Sequence, residues 1–233
     1  MSAAMPSIID VMRLLQFGDS VLPVGSFAFS NGIEAAVQQR IVHDRNSLCE
    51  FVRTALHQSA TSDGVALLEA HRAARANDID RIARADRAVL ERKLNEEMRT
   101  MTLRMGRKLS ELTARVVDVP IAAEWLRRIA TRQTPGTFPV GLALAFSALG
   151  RPEQEAFAAH QYGAATMMLS AALRLMKVDH FDAQTILYEV NGAAADAYPA
   201  AAAASLDDMR AFAPIADILA AIHVKAHVRM FMN

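Results

Sequence analysis

Apolar residues recur at the three- and four-residue spacing of an α-helix along most of this chain, and the two-residue alternation of a β-strand is nearly absent. The longest stripe lies between positions 90 and 116, on what would be one helix face about seven turns long. It consists of Leu90, Leu94, Met98, Met101, Met105, Leu109, Leu112 and Val116. We therefore predict an all-α fold with this helix as a spine of the core.

Capping residues and prolines divide the rest of the chain into further helices. Predicted helix starts lie at Ser7, Ser47 with Glu50, Asp63, Asp118 with Pro120, Pro139, Pro152 and Pro214. Residues 164–176 are apolar on most sides, which is typical of a helix at the centre of a bundle. After a polar turn at 177–182 we expect a short helix and then an alanine-rich connector. The pattern predicts a single-domain bundle of about ten helices over residues 1–233.

One connection is unusually apolar for a surface loop. It runs from Leu22 to Gly32 and contains Val24, Phe27 and Phe29. Loops are normally polar and exposed, so this composition predicts a loop that packs against another part of the protein.

The composition excludes several classes of partner. Lysine plus arginine (25) balances aspartate plus glutamate (25), which disfavours nucleic acid and anionic membrane surfaces as partners. The cations between Arg87 and Lys108 are interleaved with acids, as on a solvated helix face. We find no secretory signal and no apolar run of transmembrane length, and the single cysteine, Cys49, fits a reducing compartment. We expect a cytoplasmic protein in which Cys49 is a small buried hydrophobe.

No residue pattern indicates a catalyst. A phosphate-binding loop and a dinucleotide-binding turn are both absent from the sequence. Ser30 lies in a segment similar to a nucleophile elbow, but that motif needs a preceding strand, so we interpret Ser30 as a loop or helix-capping serine. We therefore predict a scaffold or binding role rather than an enzyme, and no cofactor.

Two histidines near the end of the chain have a spacing that metal sites use. His223 and His227 lie four positions apart, but no third ligand stands near them and Lys225 lies between them. We predict surface or interface histidines and no dedicated metal site. A metal hydrolase built on these two residues remains an alternative, as does a helical ligand-binding or regulatory bundle whose stripe methionines, Met98, Met101 and Met105, line a pocket.

Four stretches of the sequence carry specific residue combinations in a fixed order. The most specific contains Leu22-Pro23-Val24-Gly25-Ser26-Phe27, preceded by Leu14-Leu15-Gln16 and followed by Ser30-Asn31-Gly32-Ile33-Glu34. The others are Glu97-Met98-Arg99 with Gly106, residues 170–175 with Gln184, and His223 with the closing residues 229–233. In this order they resemble the UreF family of urease accessory proteins over nearly the whole chain. Phe27 stands where that family commonly has tyrosine.

The resemblance implies an all-helical homodimer that bridges the urease-binding scaffold UreD (also UreH) to the nickel-carrying GTPase UreG. The complex would insert nickel into the urease apoprotein in a GTP-dependent step. The partner-binding positions it implies are Phe27, Ser30, Glu34, Arg174, His223, Arg229 and Phe231. For Arg229 we expect a buried guanidinium that clamps backbone carbonyls, with a solvated helix-end cation as the alternative. For Arg174 the alternative is a cation that extends to water from an apolar helix.

Overall fold

A computed structural model describes residues 6–19, 21–211, 213–223 and 229–232. Within these ranges the regular structure is helical and contains no strand, which confirms the all-α prediction. The helices are α1 (Ile8–Gly18), α2 (Ile33–Gln38), α3 (Arg45–Ser59), α4 (Val65–Arg75), α5 (Ile79–Glu91), α6 (Glu96–Val116), α7 (Pro120–Ala130), α8 (Phe138–Ala148), α9 (Glu153–Leu175), α10 (His180–Ala203) and α11 (Pro214–His223). Their number is close to the predicted ten.

Two predicted helix starts are displaced. Helix α1 begins as expected, since Ser7 and Asp10 form a reciprocal capping box. Helix α3 begins one turn before the predicted Ser47, because the Asp44 carboxylate accepts the backbone N–H of Ser47. Asp63 caps nothing, because α3 continues into α4 through a π-helical stretch, Ala60–Gly64.

The predicted spine is broken near its start. Leu90 belongs to α5, Leu94 lies exposed in the connection, and α6 starts anew where Asn95 accepts the backbone N–H of Met98. A side-chain cap of this kind offers the chain a local stop that a hydrophobic period does not reveal. Helix α6 is therefore 21 residues long.

The largest apolar cluster is built around α4 and α8 rather than around α6. Eight of the eleven residues of α8, from Pro139 to Phe146, are buried. Helix α9 is the link between this cluster and a second one formed with α2, α3 and α10. Its central position agrees with the prediction for residues 164–176.

The alanine-rich segment is helix rather than connector. Helix α10 runs without interruption from His180 to Ala203 and contains Pro199 within its last two turns. Alanine has the highest intrinsic helix propensity, so a run of it sustains the helix after the apolar stripe ends. None of the described helices combines the length and apolar character that a membrane crossing requires.

A glycine contact fixes how α6 meets the loop before α8. A Cβ atom added at Gly106 would lie 2.1 Å from the Gly136 carbonyl oxygen. The loop itself is held by Asp86, whose buried carboxylate accepts hydrogen bonds from the backbone N–H groups of Gly136 and Thr137 and from two threonine hydroxyls. The two backbones can approach this closely because residue 106 has no side chain.

We expect Gly106→Ala to lower the free energy of unfolding by about 3 kcal/mol or more, because rigid backbone atoms occupy the space its methyl group needs. Gly192→Ala is the matched control, since Gly192 lies in α10 with nothing within 4 Å of an added Cβ. It should raise the free energy of unfolding by about 0.5–1 kcal/mol. Chemical denaturation measures both values, and equal effects at the two glycines would contradict the close contact.

Candidate partner-docking site

Residues from four distant parts of the chain meet around the C-terminal segment 229–232. This segment packs against the loop before α2, the start of α6 and the last turns of α9. We call the group the tail cluster, and its members are Phe27, Ser30, Glu34, Glu97, Arg174, His223, Arg229 and Phe231. The structure thus brings all seven sequence-predicted positions together, and Glu97 joins them. Their role in binding a partner remains a prediction.

Glu34 is the centre of the tail cluster. Its Oε1 atom accepts the Met230 backbone N–H at 2.7 Å, and its Oε2 atom accepts the Phe231 backbone N–H at 2.9 Å. The side chain is buried in the first turn of α2, where the helix dipole favours a negative charge. Beneath it, the hydroxyl of Ser30 accepts the backbone N–H of Glu34 at 3.4 Å, in agreement with a helix-start role for this serine. A buried carboxylate is stable when donors surround it, so the tail is part of this acid's local environment.

His223 is buried between two carboxylates, whereas the sequence suggested a surface or interface histidine. Its imidazole ends α11, is 1% exposed, and places Nε2 3.1 Å from Glu34 Oε2 and Nδ1 2.9 Å from Glu97 Oε2. The carboxylates therefore engage both ring nitrogens and leave neither open toward a metal ion. Across the described residues, no three histidine, cysteine or acidic side chains are arranged to hold a metal ion, and His227 lies outside those residues.

Arg174 is stacked between two phenylalanine rings. Its guanidinium carbon lies 4.3 Å from the ring centroid of Phe27 and 4.2 Å from that of Phe231. Planar guanidinium groups favour this arrangement through cation–π attraction. The stack joins α9, the apolar loop and the tail without using the hydroxyl that a tyrosine would have at position 27.

The prediction that a buried Arg229 guanidinium clamps backbone carbonyls is wrong. The Arg229 side chain is 42% exposed, and its guanidinium donates to Glu97 Oε1 at 3.0 Å. The buried acid Glu34 restrains the tail instead, through backbone N–H groups. Sequence reasoning missed Glu97, although the motif Glu97-Met98-Arg99 contained it, because a glutamate in the first helical turn usually serves only the helix dipole.

The outer surface of the tail cluster is apolar and basic. Phe27 is 78% exposed and Met230 61% exposed. Beside them, the Arg104 guanidinium lies 3.4 Å from the sulfur of Met232, and the backbone N–H of Met232 donates to the Ala28 carbonyl. The loop that we predicted to be packed does bury Val24 and Phe29, while it presents Phe27 to solvent.

Comparison with known proteins agrees with the resemblance. A family model described as UreF matches residues 42–191. Urease accessory protein UreF 2 of Brucella canis is 56% identical over 232 residues, covering 100% of this chain and 96% of the relative. Urease accessory protein UreF of Yersinia pseudotuberculosis is 51% identical over 224 residues, covering 96% of this chain and 98% of the relative. The chain belongs to the UreF family.

The range matched by the UreF family model covers most of the helices but only part of the tail cluster. The matched range 42–191 contains the helical frame with Glu97 and Arg174, whereas the other members of the tail cluster lie before or after it. The full-length relatives extend over both ends. This UreF-family chain therefore matches urease accessory proteins over its whole length. Its tail cluster combines residues from both ends of the chain with Glu97 and Arg174 from the helices of the matched range.

A cavity of about 260 Å³ lies behind the tail cluster. Phe27, Arg174 and His223 line one part of it, and Asp63 and His160 line another. The stripe methionines Met98, Met101 and Met105 also contribute to the wall, as the ligand-binding alternative requires.

The cavity has a polar end built on the π-helical stretch. Lys93 Nζ lies 2.7 Å from Asp63 Oδ2 in a largely buried ion pair, so this cation does not belong to the predicted solvated face. Asp63 Oδ1 is buried without a hydrogen-bond partner among the described residues. On that solvated face, the exposed pair Arg107 and Glu111 agrees with the prediction. Cys49 is buried as expected, and burial raises the pKa of its thiol.

His160 makes the stability of this UreF-family protein depend on pH. Burial is the main cause that lowers its pKa from 6.5 to about 4, with Asp63 opposing and Lys93 adding to the effect. The unfolded chain therefore binds a proton that the folded protein excludes between these pH values, and stability falls with acidification through this window. We expect His160 alone to account for a loss of about 3 kcal/mol between pH 7 and pH 4.

The measurement compares urea unfolding of the parent protein, His160→Gln and His43→Gln across this pH range. The free-energy difference between parent and His160→Gln should change with pH, since glutamine does not titrate. His43 is largely exposed, so its variant should follow the parent. A difference for His160→Gln that is constant with pH would contradict a neutral buried imidazole.

Proposed function

We propose that this protein works in urease maturation as the subunit that joins the scaffold UreD or UreH to the GTPase UreG, so that nickel enters the urease apoprotein. Membership of the UreF family supports the urease accessory role, and the composition and geometry of the tail cluster support a docking role. In this proposal the protein is a cytoplasmic homodimer without catalytic activity, cofactor or tight nickel site of its own. The single observation that carries it is the stack of Phe27, Arg174 and Phe231, in which Phe27 and Arg174 are exposed and the buried Phe231 is anchored through its backbone N–H by Glu34.

The residue types of the tail cluster are those that protein interaction surfaces favour. Aromatic and arginine side chains are enriched at the energetic centres of protein interfaces. Here Phe27 exposes most of its ring, while Arg174 stacks on it and also on the buried ring of Phe231. A partner that covers Phe27 gains apolar contact without ordering a free side chain, which lowers the entropic cost of binding.

The charges around the stack favour an acidic partner face. Arg104 and Arg174 have no carboxylate within ion-pair distance among the described residues. Arg229 has one in Glu97, but that acid is only 11% exposed and also contacts His223. The solvent-facing charge of this surface is therefore positive, and such a surface attracts and orients carboxylates on its partner. We assign this surface to the GTPase and leave the scaffold to another face.

The central test is reconstitution. Apo-urease, nickel, GTP, the scaffold and the GTPase are combined with or without this protein, and urease activity is measured. The proposal requires that activation depend on this protein, and that the protein alone hydrolyse neither GTP nor urea. Activation that proceeds equally without it would refute the proposal.

A protein that ends at Val228 should fail to assemble with the GTPase and keep its helical fold. The deletion of 229–233 removes the backbone donors to Glu34 and the ring of Phe231, whereas the two apolar clusters are formed mainly by α2 to α10. A pull-down of the complex, with far-UV circular dichroism and a melting curve on the same preparation, measures both properties. Unchanged assembly would contradict the docking role, and lost helicity would mean that the tail is structural.

Arg104→Glu should weaken association with the GTPase at least tenfold, because it places a negative charge beside the stack. Arg115→Glu is the matched control, since Arg115 is exposed on the same helix about 16 Å further along, beyond the Debye length at physiological salt. Binding kinetics at two salt concentrations measure the effect. Equal losses for the two variants would show that only net charge matters, against a local acidic contact.

The second candidate function is a helical ligand-binding or regulatory bundle. The observation in its favour is that Met98, Met101 and Met105 line the cavity. The reconstitution separates the two candidates, because a ligand-binding bundle without an accessory role leaves urease activation unchanged when it is omitted.

A further inference from the structure

The π-helical stretch between α3 and α4 binds the segment 206–211, which connects α10 to α11. In a regular α-helix the Thr61 carbonyl would accept the backbone N–H of Val65, but here that N–H donates to the Ser62 carbonyl. The Thr61 carbonyl instead accepts the backbone N–H of Arg210 at 2.9 Å, and the Thr61 hydroxyl donates to the Arg210 carbonyl at 3.0 Å. A single residue of the π-helical stretch therefore holds the connecting segment by two hydrogen bonds.

Two further side chains bind the same connecting segment. The Arg92 guanidinium donates from Nη2 to the Leu206 carbonyl at 3.3 Å and from Nε to the Met209 carbonyl at 3.4 Å. Gln58 adds a hydrogen bond from Nε2 to the Ala211 carbonyl at 3.3 Å. Apart from one short 3₁₀ helix the connecting segment is irregular, so these side chains satisfy backbone groups that no helix or sheet pairs.

The connecting segment determines where α11 begins, and α11 carries His223 to the tail cluster. Helix α11 spans 10 residues, so its first residue lies about 14 Å along the axis from His223. Among its described side chains only Leu219 and His223 are buried, and the helix packs mainly against α2. Few other contacts fix its position, so a displaced start would move the imidazole away from Glu34 and Glu97.

We infer that Thr61 and Arg92 are positioning residues for the tail cluster: they fix the connecting segment, and through α11 they fix where His223 meets its two acids. Within the described residues, neither side chain has a hydrogen bond or ion pair to the tail segment 229–232. Arg92 caps the end of α5, whereas Thr61 lies between α3 and α4, so two separate elements hold the connecting segment. The inference deepens the proposed function, on which its meaning for partner docking rests.

The test is amide hydrogen exchange of the full chain, followed by NMR. Thr61→Val removes the hydroxyl that binds the Arg210 carbonyl and keeps the shape of the side chain. We expect the amides of Leu219, Met230 and Phe231 to exchange about three- to tenfold faster, the factor that the loss of one hydrogen bond gives, while the amides of α8 keep their rates. Tail amides with the parent's rates, or α8 amides that quicken by the same factor, would overturn the inference.

Thr131→Val is the matched control. The Thr131 hydroxyl donates to the carbonyl oxygens three and four residues before it, as the Thr61 hydroxyl does, but to no distant segment among the described residues. It should leave the tail amides unchanged, and an equal effect in both variants would contradict the anchoring role. Arg92→Lys keeps the charge but loses the planar fork that reaches two carbonyls, so the tail amides should again exchange faster. Unchanged exchange in Arg92→Lys would refute the role of Arg92.

The exchange experiment needs no partner, so its failure is distinct from a failure of the proposed function. Faster tail exchange in Thr61→Val, with normal GTPase assembly of the protein that ends at Val228, would support the inference and refute the docking role. The parent's tail exchange in Thr61→Val, with lost assembly of the shortened protein, would support the docking role and overturn the inference.

Discussion

The buried carboxylate of Glu34 is the constraint on which the tail cluster depends. A carboxylate withdrawn from water needs donors on both oxygens, and here the donors come from the opposite end of the chain: the imidazole of His223 and two successive backbone N–H groups. To satisfy this one acid, α11 has to end beside α2 and the segment 229–232 has to lie against it. The phenylalanine of that segment then completes the stack on Arg174.

Helix α6 connects this site to the rest of the fold. Its first turn provides Glu97, and its middle is locked against the loop before α8 by the contact of Gly106 with Gly136. The distance along the helix between these two points is about 14 Å, so a displacement of the locked contact would carry over to the acid that meets His223. The buried carboxylate of Asp86, which organises that loop, therefore supports the tail cluster from a distance.

The cavity behind the tail cluster combines apolar walls with a polar end. Lys93 and Asp63 neutralise each other there, and His160 remains uncharged because burial opposes its protonation. Asp63 reaches this position because the chain forms a π-helical turn between α3 and α4, and such turns commonly place side chains at functional sites. Since Phe27, Arg174 and His223 belong to its lining, the cavity and the tail cluster share a wall.

The sequence by itself determined the fold class, because a period of three to four apolar residues can be buried by helices and by little else. Through its resemblance to the UreF family the sequence also pointed to seven of the eight tail-cluster positions as partner-binding residues, which remains a prediction, and it left out Glu97. The sequence did not reveal the break before α6, because a side-chain cap leaves the hydrophobic period unchanged. For the same reason it missed the π-helical junction, where the helical backbone simply continues. It also missed the helix through the alanine-rich segment, which depends on alanine propensity and not on an apolar stripe. Only the tertiary structure decided that His223 is buried, that Arg229 is exposed and that Glu97 joins them. These outcomes depend on hydrogen bonds between residues more than 120 positions apart, and no local pattern encodes which distant acid a histidine will meet.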